Sequence, residues 1–208
     1  MIGDFAKEFW RGRAEATDAS IRWTDEQMLE LDIELVGRLT PEGASLLDLG
    51  CGTGDIFLGM LDRFSHVTAV DMIDDFLARL PDDPRIEPVV SELTAFAPQR
   101  AYDVAIMFGV VTHLSEADER RAYETLRTAA PEGTVVVKNQ CGREHDVDVD
   151  GHSEAFGGRY VGRYPAVEAQ AARLREYFGE VEVVRYPDAV NRWPDSLHAA
   201  FVCRRGSR

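Results

Sequence analysis

"SLLDLGCGTGDIF", residues 45–57, is an apolar run that ends in glycines at 50, 52 and 54. Such a run reads as a buried strand giving way to a helix, and glycine is the residue that takes positive φ and lets a ligand approach backbone. Outward from this turn the chain alternates. "DIFLGMLDRF" is expected as a helix, "HVTAVD" as a strand, "MIDDFLARL" as a helix, "RIEPVV" and "YDVAIMFGVV" as strands. "SEADERRAYETLRTAA" follows as a helix, "GTVVVKNQ" as a strand, and "PAVEAQAARLREYFG" as a helix with Val167, Ala171, Leu174 and Phe178 on one face and Gly179 closing it. "VEVVRY" and "LHAAFVCRR" end the chain as strands with no helix between them. Upstream, "TDEQMLELDIELVGRL" has Met28, Leu31, Leu35, Val36 and Leu39 at helical spacing, opened by a Thr24/Gln27 capping box. The pattern implies an α/β fold: a doubly wound, mostly parallel seven-stranded sheet with a C-terminal antiparallel hairpin.

Composition sets the partners. The 208 residues suit one domain, divided into a helical segment 1–40, a core 44–140, a loop 141–164, and a helix with hairpin 165–208. With 23 Lys+Arg against 37 Asp+Glu the net charge is -14, which repels nucleic-acid phosphates and anionic membranes. Arg120, Arg121 and Arg127 in "RRAYETLR" read as a solvated helix face. No apolar run reaches a membrane span and no signal peptide is visible, so a cytoplasmic protein is expected, either monomer or homodimer. Cys51, Cys141 and Cys203 lack a CxxC pair and read as buried free thiols.

Spacing within the turn selects the ligand. A dinucleotide fingerprint from Gly50 requires glycine at 55, where Asp55 stands, and a phosphate-binding GxxxxGK[ST] loop has no counterpart. What remains is Asp48-x-Gly50-x-Gly52-x-Gly54. With "VTAVDMIDDFL", "VVSELTAF" and "YDVAIMFGVVTHL" following in order, residues 44–140 resemble the class I S-adenosylmethionine-dependent methyltransferases. The resemblance implies a Rossmann-like methyltransferase fold with S-adenosyl-L-methionine as cofactor. It places Asp48, Gly50, Gly52 and Gly54 in the first motif and Asp71 on the ribose hydroxyls, where a carboxylate accepts charge-assisted hydrogen bonds. It puts Met72, Glu92 and Leu93 around the adenine and Phe108 near the methionine end. "EFWRGRAEATDASIRW" resembles the helical lid of small-molecule members, with Trp10 over the cofactor and Arg13 toward its carboxylate.

The acceptor is expected to be a small molecule, since "MFGVV" lacks the Asn/Asp-Pro-Pro-aromatic run of nucleobase methylating members and the charge disfavours nucleic acid. A hydroxyl of a sugar or natural-product intermediate is the first expectation and a small amine the alternative. His113 and His152 are the candidate bases, an imidazole titrating near neutrality. Gln140, Arg159, Tyr160, Arg163, Tyr164, Asn191 and Trp193 are the candidate acceptor contacts, arginine suiting a carboxylate or phosphate. His145, Asp146, Asp148, Asp150, His152 and Glu154 look metal-binding, but the calcium-loop match fails at Gly157 and the alternating Asp and Val also read as a strand with one wet face, so no metal is expected. A nucleotide-dependent oxidoreductase, disfavoured by Asp55, and a non-catalytic S-adenosylmethionine-binding subunit are the rivals.

Overall fold

The structure, a computed structural model, describes residues 2–15, 26–153 and 157–206. In chain order it contains α1 (Ile2–Glu15), α2 (Glu26–Leu39), β1 (Ala44–Leu49), α3 (Asp55–Leu58), β2 (Phe64–Asp71), α4 (Asp74–Leu77), β3 (Ile86–Val90) and β4 (Val104–Phe108). Then follow α5 (Glu116–Ala129), β5 (Thr134–Gly142), β6 (Val147–Ser153), β7 (Gly158–Tyr164), α6 (Val167–Arg175), β8 (Glu180–Arg185) and β9 (Ser196–Arg204). Thr24 of the anticipated capping box and Glu154 lie outside the described residues.

Seven strands form one sheet in the order β3-β2-β1-β4-β5-β9-β8. The first five are parallel, and β9 runs antiparallel to both β5 and β8, as two terminal strands without a crossover require. The order reverses between β1 and β4, the place where such sheets open a crevice beyond their carboxyl ends.

Alternation along the central strands explains their unbroken apolar sequence. Leu47, Leu49, Ala105, Met107, Val135 and Val137 serve the core under α5 and α6. Leu46, Val104, Ile106 and Val136 serve the core under α2 on the other face. A strand buried on both faces leaves no position for a polar side chain until it reaches the sheet's end.

Two expectations change. The helices anticipated over "DIFLGMLDRF" and "MIDDFLARL" shrink to four residues each. Gly59 still has helical dihedrals (φ -65°, ψ -11°), with Ile33 Cδ1 of α2 packed 2.4 Å from where a Cβ would lie, and the helical path breaks at Met60 (φ -145°, ψ 28°). The loop 141–164 contains an antiparallel ribbon, β6 with β7, because its alternating Asp and Val residues give one side of a strand to solvent. Arg120, Arg121 and Arg127 lie largely exposed on α5 and are each ion-paired, the solvated face that the sequence suggests.

Candidate active site

A cavity of about 700 Å³ opens at the carboxyl ends of the central strands, within the roughly 300–1,000 Å³ of small-molecule sites. The glycine turn forms one wall. Gly50, Gly52 and Gly54 have φ of 84°, 55° and 76°. A Cβ would lie 2.4 Å from Val110 Cγ2 at Gly50 and 2.5 Å from Phe57 Cζ at Gly54, whereas at Gly52 it would meet nothing within 4 Å. Gly52 lines the cavity, so the space beside its Cα is available to a ligand.

Asp71 ends β2 beside this turn. Its Oδ2 accepts from Gly52 N at 2.9 Å and its Oδ1 from Ile73 N at 2.9 Å. Each oxygen keeps a lone pair for a ligand hydroxyl. Burial pushes the Asp71 carboxyl up, and backbone N–H groups of Ile73, Gly52 and Met72 oppose that. Asp48, at the end of β1, is pushed up to about 8 by burial and by the neighbouring Asp71 charge. Two carboxyls in one buried corner favour a cationic ligand. Met72, Glu92, Leu93 and Phe108 line the same cavity.

α1 lies over the opening. Trp10 lines the cavity, with its ring edge-on to Phe76 at 6.4 Å and to His113 at 5.4 Å. Phe9 meets Tyr160 of the ribbon at 5.9 Å, so helix and ribbon close on each other. Arg13 is not a lining residue; its guanidinium sits 6.0 Å from the Phe9 ring, and burial lowers its pKa. The α1 cation that lines the cavity is Lys7, ion-paired with Glu92 at 2.6 Å.

The two candidate bases separate. His113 lines the cavity and is buried, which lowers its pKa to about 4, a hydrogen bond to the Val161 carbonyl opposing the shift. Its Nδ1 has no hydrogen-bond partner among the described residues. His152 lies exposed on β6 opposite Arg159 and is not brought to the cavity. His198, on β9 opposite Gln140, does line it, and the sequence reading passed it over.

Of the acceptor candidates, Gln140, Tyr160 and Tyr164 line the cavity. The arginines do not reach it. Arg159 is bound by Asp150 through two hydrogen bonds of 2.8 Å. Arg163 is bound by Glu119, which is fully buried and also accepts from Arg173 at 2.9 Å and from the Tyr123 hydroxyl at 2.7 Å. Asn191 braces the β8–β9 connection, accepting from His198 N at 2.8 Å, and Trp193 is 42% exposed; neither lines the cavity. Asp146 caps Ala166 N at 2.7 Å, and no group of three His, Cys, Asp or Glu among the described residues could hold a metal ion.

The cavity also contains a buried ion pair absent from the candidate list. Lys138 Nζ donates to Asp32 Oδ2 at 3.0 Å, and the Tyr186 hydroxyl donates to Asp32 Oδ1 at 2.6 Å. Both charges are at least nine-tenths buried. The clue was present: Asp32 sits four residues from Met28 and from Val36 on the apolar stripe of α2, and Lys138 interrupts "TVVVKNQC". Charges at two buried positions need each other.

Residues 46–133 match the family model for the methyltransferase domain. The chain carries a methyltransferase domain. No curated protein matches the sequence. Among solved structures, the chain is similar to DhpI in its SAH complex (TM-score 0.70, 21% identity, 97% of this chain and 95% of that one). It is similar to 1,6-didemethyltoxoflavin-N1-methyltransferase of Burkholderia thailandensis with bound 1,6-didemethyltoxoflavin and S-adenosylhomocysteine (TM-score 0.72, 19% identity, 99% and 87%). It is also similar to the glycopeptide N-methyltransferase MtfA complexed with sinefungin (TM-score 0.67, 17% identity, 88% and 95%). At these identities the likeness concerns the fold. The methyltransferase domain spans the glycine turn, Asp71, Glu92 and Phe108, while Lys138, Gln140, the ribbon and β9 lie beyond it and surround the rest of the cavity. No helix among the described residues is long and apolar enough to cross a membrane.

Proposed function

We propose that the protein transfers the methyl group of S-adenosylmethionine to a nitrogen of a small-molecule acceptor. One cavity joins the glycine turn and Asp71 to a chamber bordered by His113, Gln140 and Tyr160, and that continuity carries the reading. The residues fit the cofactor: the open side of Gly52 admits it, Asp71 has lone pairs for two ribose hydroxyls, and the Asp48–Asp71 corner suits a cation. The similar structures containing S-adenosylhomocysteine support the same choice.

The cofactor supplies an electrophilic methyl on a sulfonium. As the new C–N bond forms the C–S bond breaks, positive charge passes from sulfur to nitrogen, and one amine proton then leaves to solvent. The protein aligns the two partners, and positioning can provide much of such an acceleration. Trp10 and Tyr160 of the ribbon both line the chamber with their rings edge-on to His113.

Nitrogen is favoured over oxygen by His113. Burial keeps its imidazole neutral at pH 7 but, at about 4, weakly basic. A neutral amine brings its own lone pair, whereas an aliphatic hydroxyl must lose a proton as it is methylated. His198 in the cavity favours the second reading, a hydroxyl acceptor such as that of a sugar.

The test is methyl transfer from labelled S-adenosylmethionine to acceptor pairs that differ only in bearing an amine or a hydroxyl. Label should appear on the amine members and rise with pH as the amine deprotonates. Preferential labelling of hydroxyl members, abolished by His198→Ala, would replace nitrogen with oxygen.

A further inference from the structure

The charge arrangement narrows the acceptor further, an inference that rests on the methyl-transfer reading. Among the described residues, each cation that lines the cavity is already engaged. Lys7 is held by Glu92 at 2.6 Å, Arg121 by Asp118 at 3.1 Å and Lys138 by Asp32 at 3.0 Å. Among the described residues, Asp48 and Asp71 have no cationic partner in the cavity. The ribbon's Arg159 and Arg163 belong to Asp150 and Glu119.

Lys138 is the deepest of these cations and the one an anionic acceptor would need. Asp32 accepts one of its hydrogen bonds, and its ammonium lies 5.3 Å from the Tyr186 ring centroid and 5.9 Å from that of Phe108. Rings in those positions satisfy a cation without offering it to a ligand. Tyr186 in turn fixes the Asp32 carboxylate from the far side.

The uncharged groups point to a donor. Gln140 Nε2 donates to Ser196 Oγ at 2.7 Å, which orients the amide and leaves Oε1 as its acceptor atom. With the His113 ring proton directed to the Val161 carbonyl, Nδ1 carries a lone pair that no protein group meets among the described residues. Both side chains are more than nine-tenths buried and line the cavity.

We infer that the acceptor is an amine with no carboxylate or phosphate, received by Gln140 Oε1 and His113 Nδ1, and that Asp32 enforces this selectivity by occupying Lys138. Transfer to a neutral amine conserves charge, so the carboxyl-rich cavity stabilises the cation on nitrogen as it did on sulfur. An anionic acceptor would enter beside Asp71 and, among the described residues, find no free counter-charge.

The experiment uses the intact chain saturated with S-adenosylhomocysteine. Methylammonium and inorganic phosphate are titrated separately at low ionic strength, and chemical shifts of the Gln140 side-chain amide and the His113 ring are followed by NMR. Failure of S-adenosylhomocysteine to bind would defeat the methyl-transfer reading itself, before either probe is added. Given that binding, methylammonium should shift both signals saturably and phosphate should shift neither. Asp32→Asn, which frees Lys138, should tighten phosphate at least tenfold over wild type. Phosphate binding to wild type as well as methylammonium does, no response to methylammonium, or a well-folded Asp32→Asn that gains no phosphate binding would each overturn the inference. If Asp32→Asn does not fold, the wild-type titrations decide alone.

Discussion

Replacing Gly52 by alanine separates the backbone cost of the turn from its role as a ligand surface. At φ 55° an L-residue is strained by about 1–2 kcal/mol relative to glycine. The added methyl meets no protein atom within 4 Å, so strain is the whole folding cost. For a domain of this size that lowers Tm by roughly 2–8 °C. Gly43 is the control: φ is 71°, its Cβ position is equally open, and it sits before β1, away from the cavity. Gly43→Ala and Gly52→Ala should therefore lose similar stability. Only the second puts a methyl where the cofactor must lie. Overfilling a packed contact costs about 1–3 kcal/mol, or roughly 5- to 150-fold in Kd. Thermal denaturation of the two variants beside calorimetric titration with S-adenosylmethionine reads both effects. Gly52→Ala binding as tightly as wild type would refute the placement of cofactor against the turn, and equal loss in both variants would make the effect one of folding.

Three further outcomes follow from the buried charges. Asp48, pushed up to about 8, is mostly protonated at pH 7 in the free protein, so a bound cation should expel up to about one proton. Titrations in buffers of differing ionisation enthalpy should show this release, and Asp48→Asn should abolish it. His113 has a folded pKa near 4 against about 6.5 unfolded, so the unfolded chain binds more protons between these values. Stability from this group is complete above about pH 6.5 and is lost as pH falls towards 4, on the order of 3 kcal/mol in all. Urea unfolding across that window should show the slope in wild type and a smaller one in His113→Gln. Asp32→Ala leaves the Lys138 charge buried without its partner and should cost about 3–5 kcal/mol, most of it recovered in Asp32→Ala/Lys138→Met; chemical denaturation of single and double variants checks this.

The cofactor half of the cavity was legible in sequence because its signals are local. Gly50, Gly52 and Gly54 stand together, Asp71 closes the next strand, and strand–helix alternation fixes where both must lie. Helix length was less legible: the pattern after Gly54 looks helical, but the backbone leaves the helical region at Met60, which no local residue pattern announces. The acceptor half was largely hidden, since its pairings are distant in sequence. Arg163 reads as an anion contact until Glu119, 44 residues earlier, takes it. Asp32 and Lys138 are 106 residues apart and meet only when α2 packs across the end of β5. Alternating Asp and Val in 147–153 suggested a wet strand, but the contact of Tyr160 on its partner β7 with Phe9 of α1 joins segments 151 residues apart.

The central claim is that the Asp71 corner receives S-adenosylmethionine, and calorimetry on wild type and Asp71→Asn tests it most directly, with NAD titrated in parallel. Asparagine keeps the shape of the side chain and removes its charge. Saturable binding of S-adenosylmethionine is expected, weakened in the variant by about 1.5–3 kcal/mol, the strength of a charge-assisted hydrogen bond. Absence of binding, or a preference for NAD, would contradict the account.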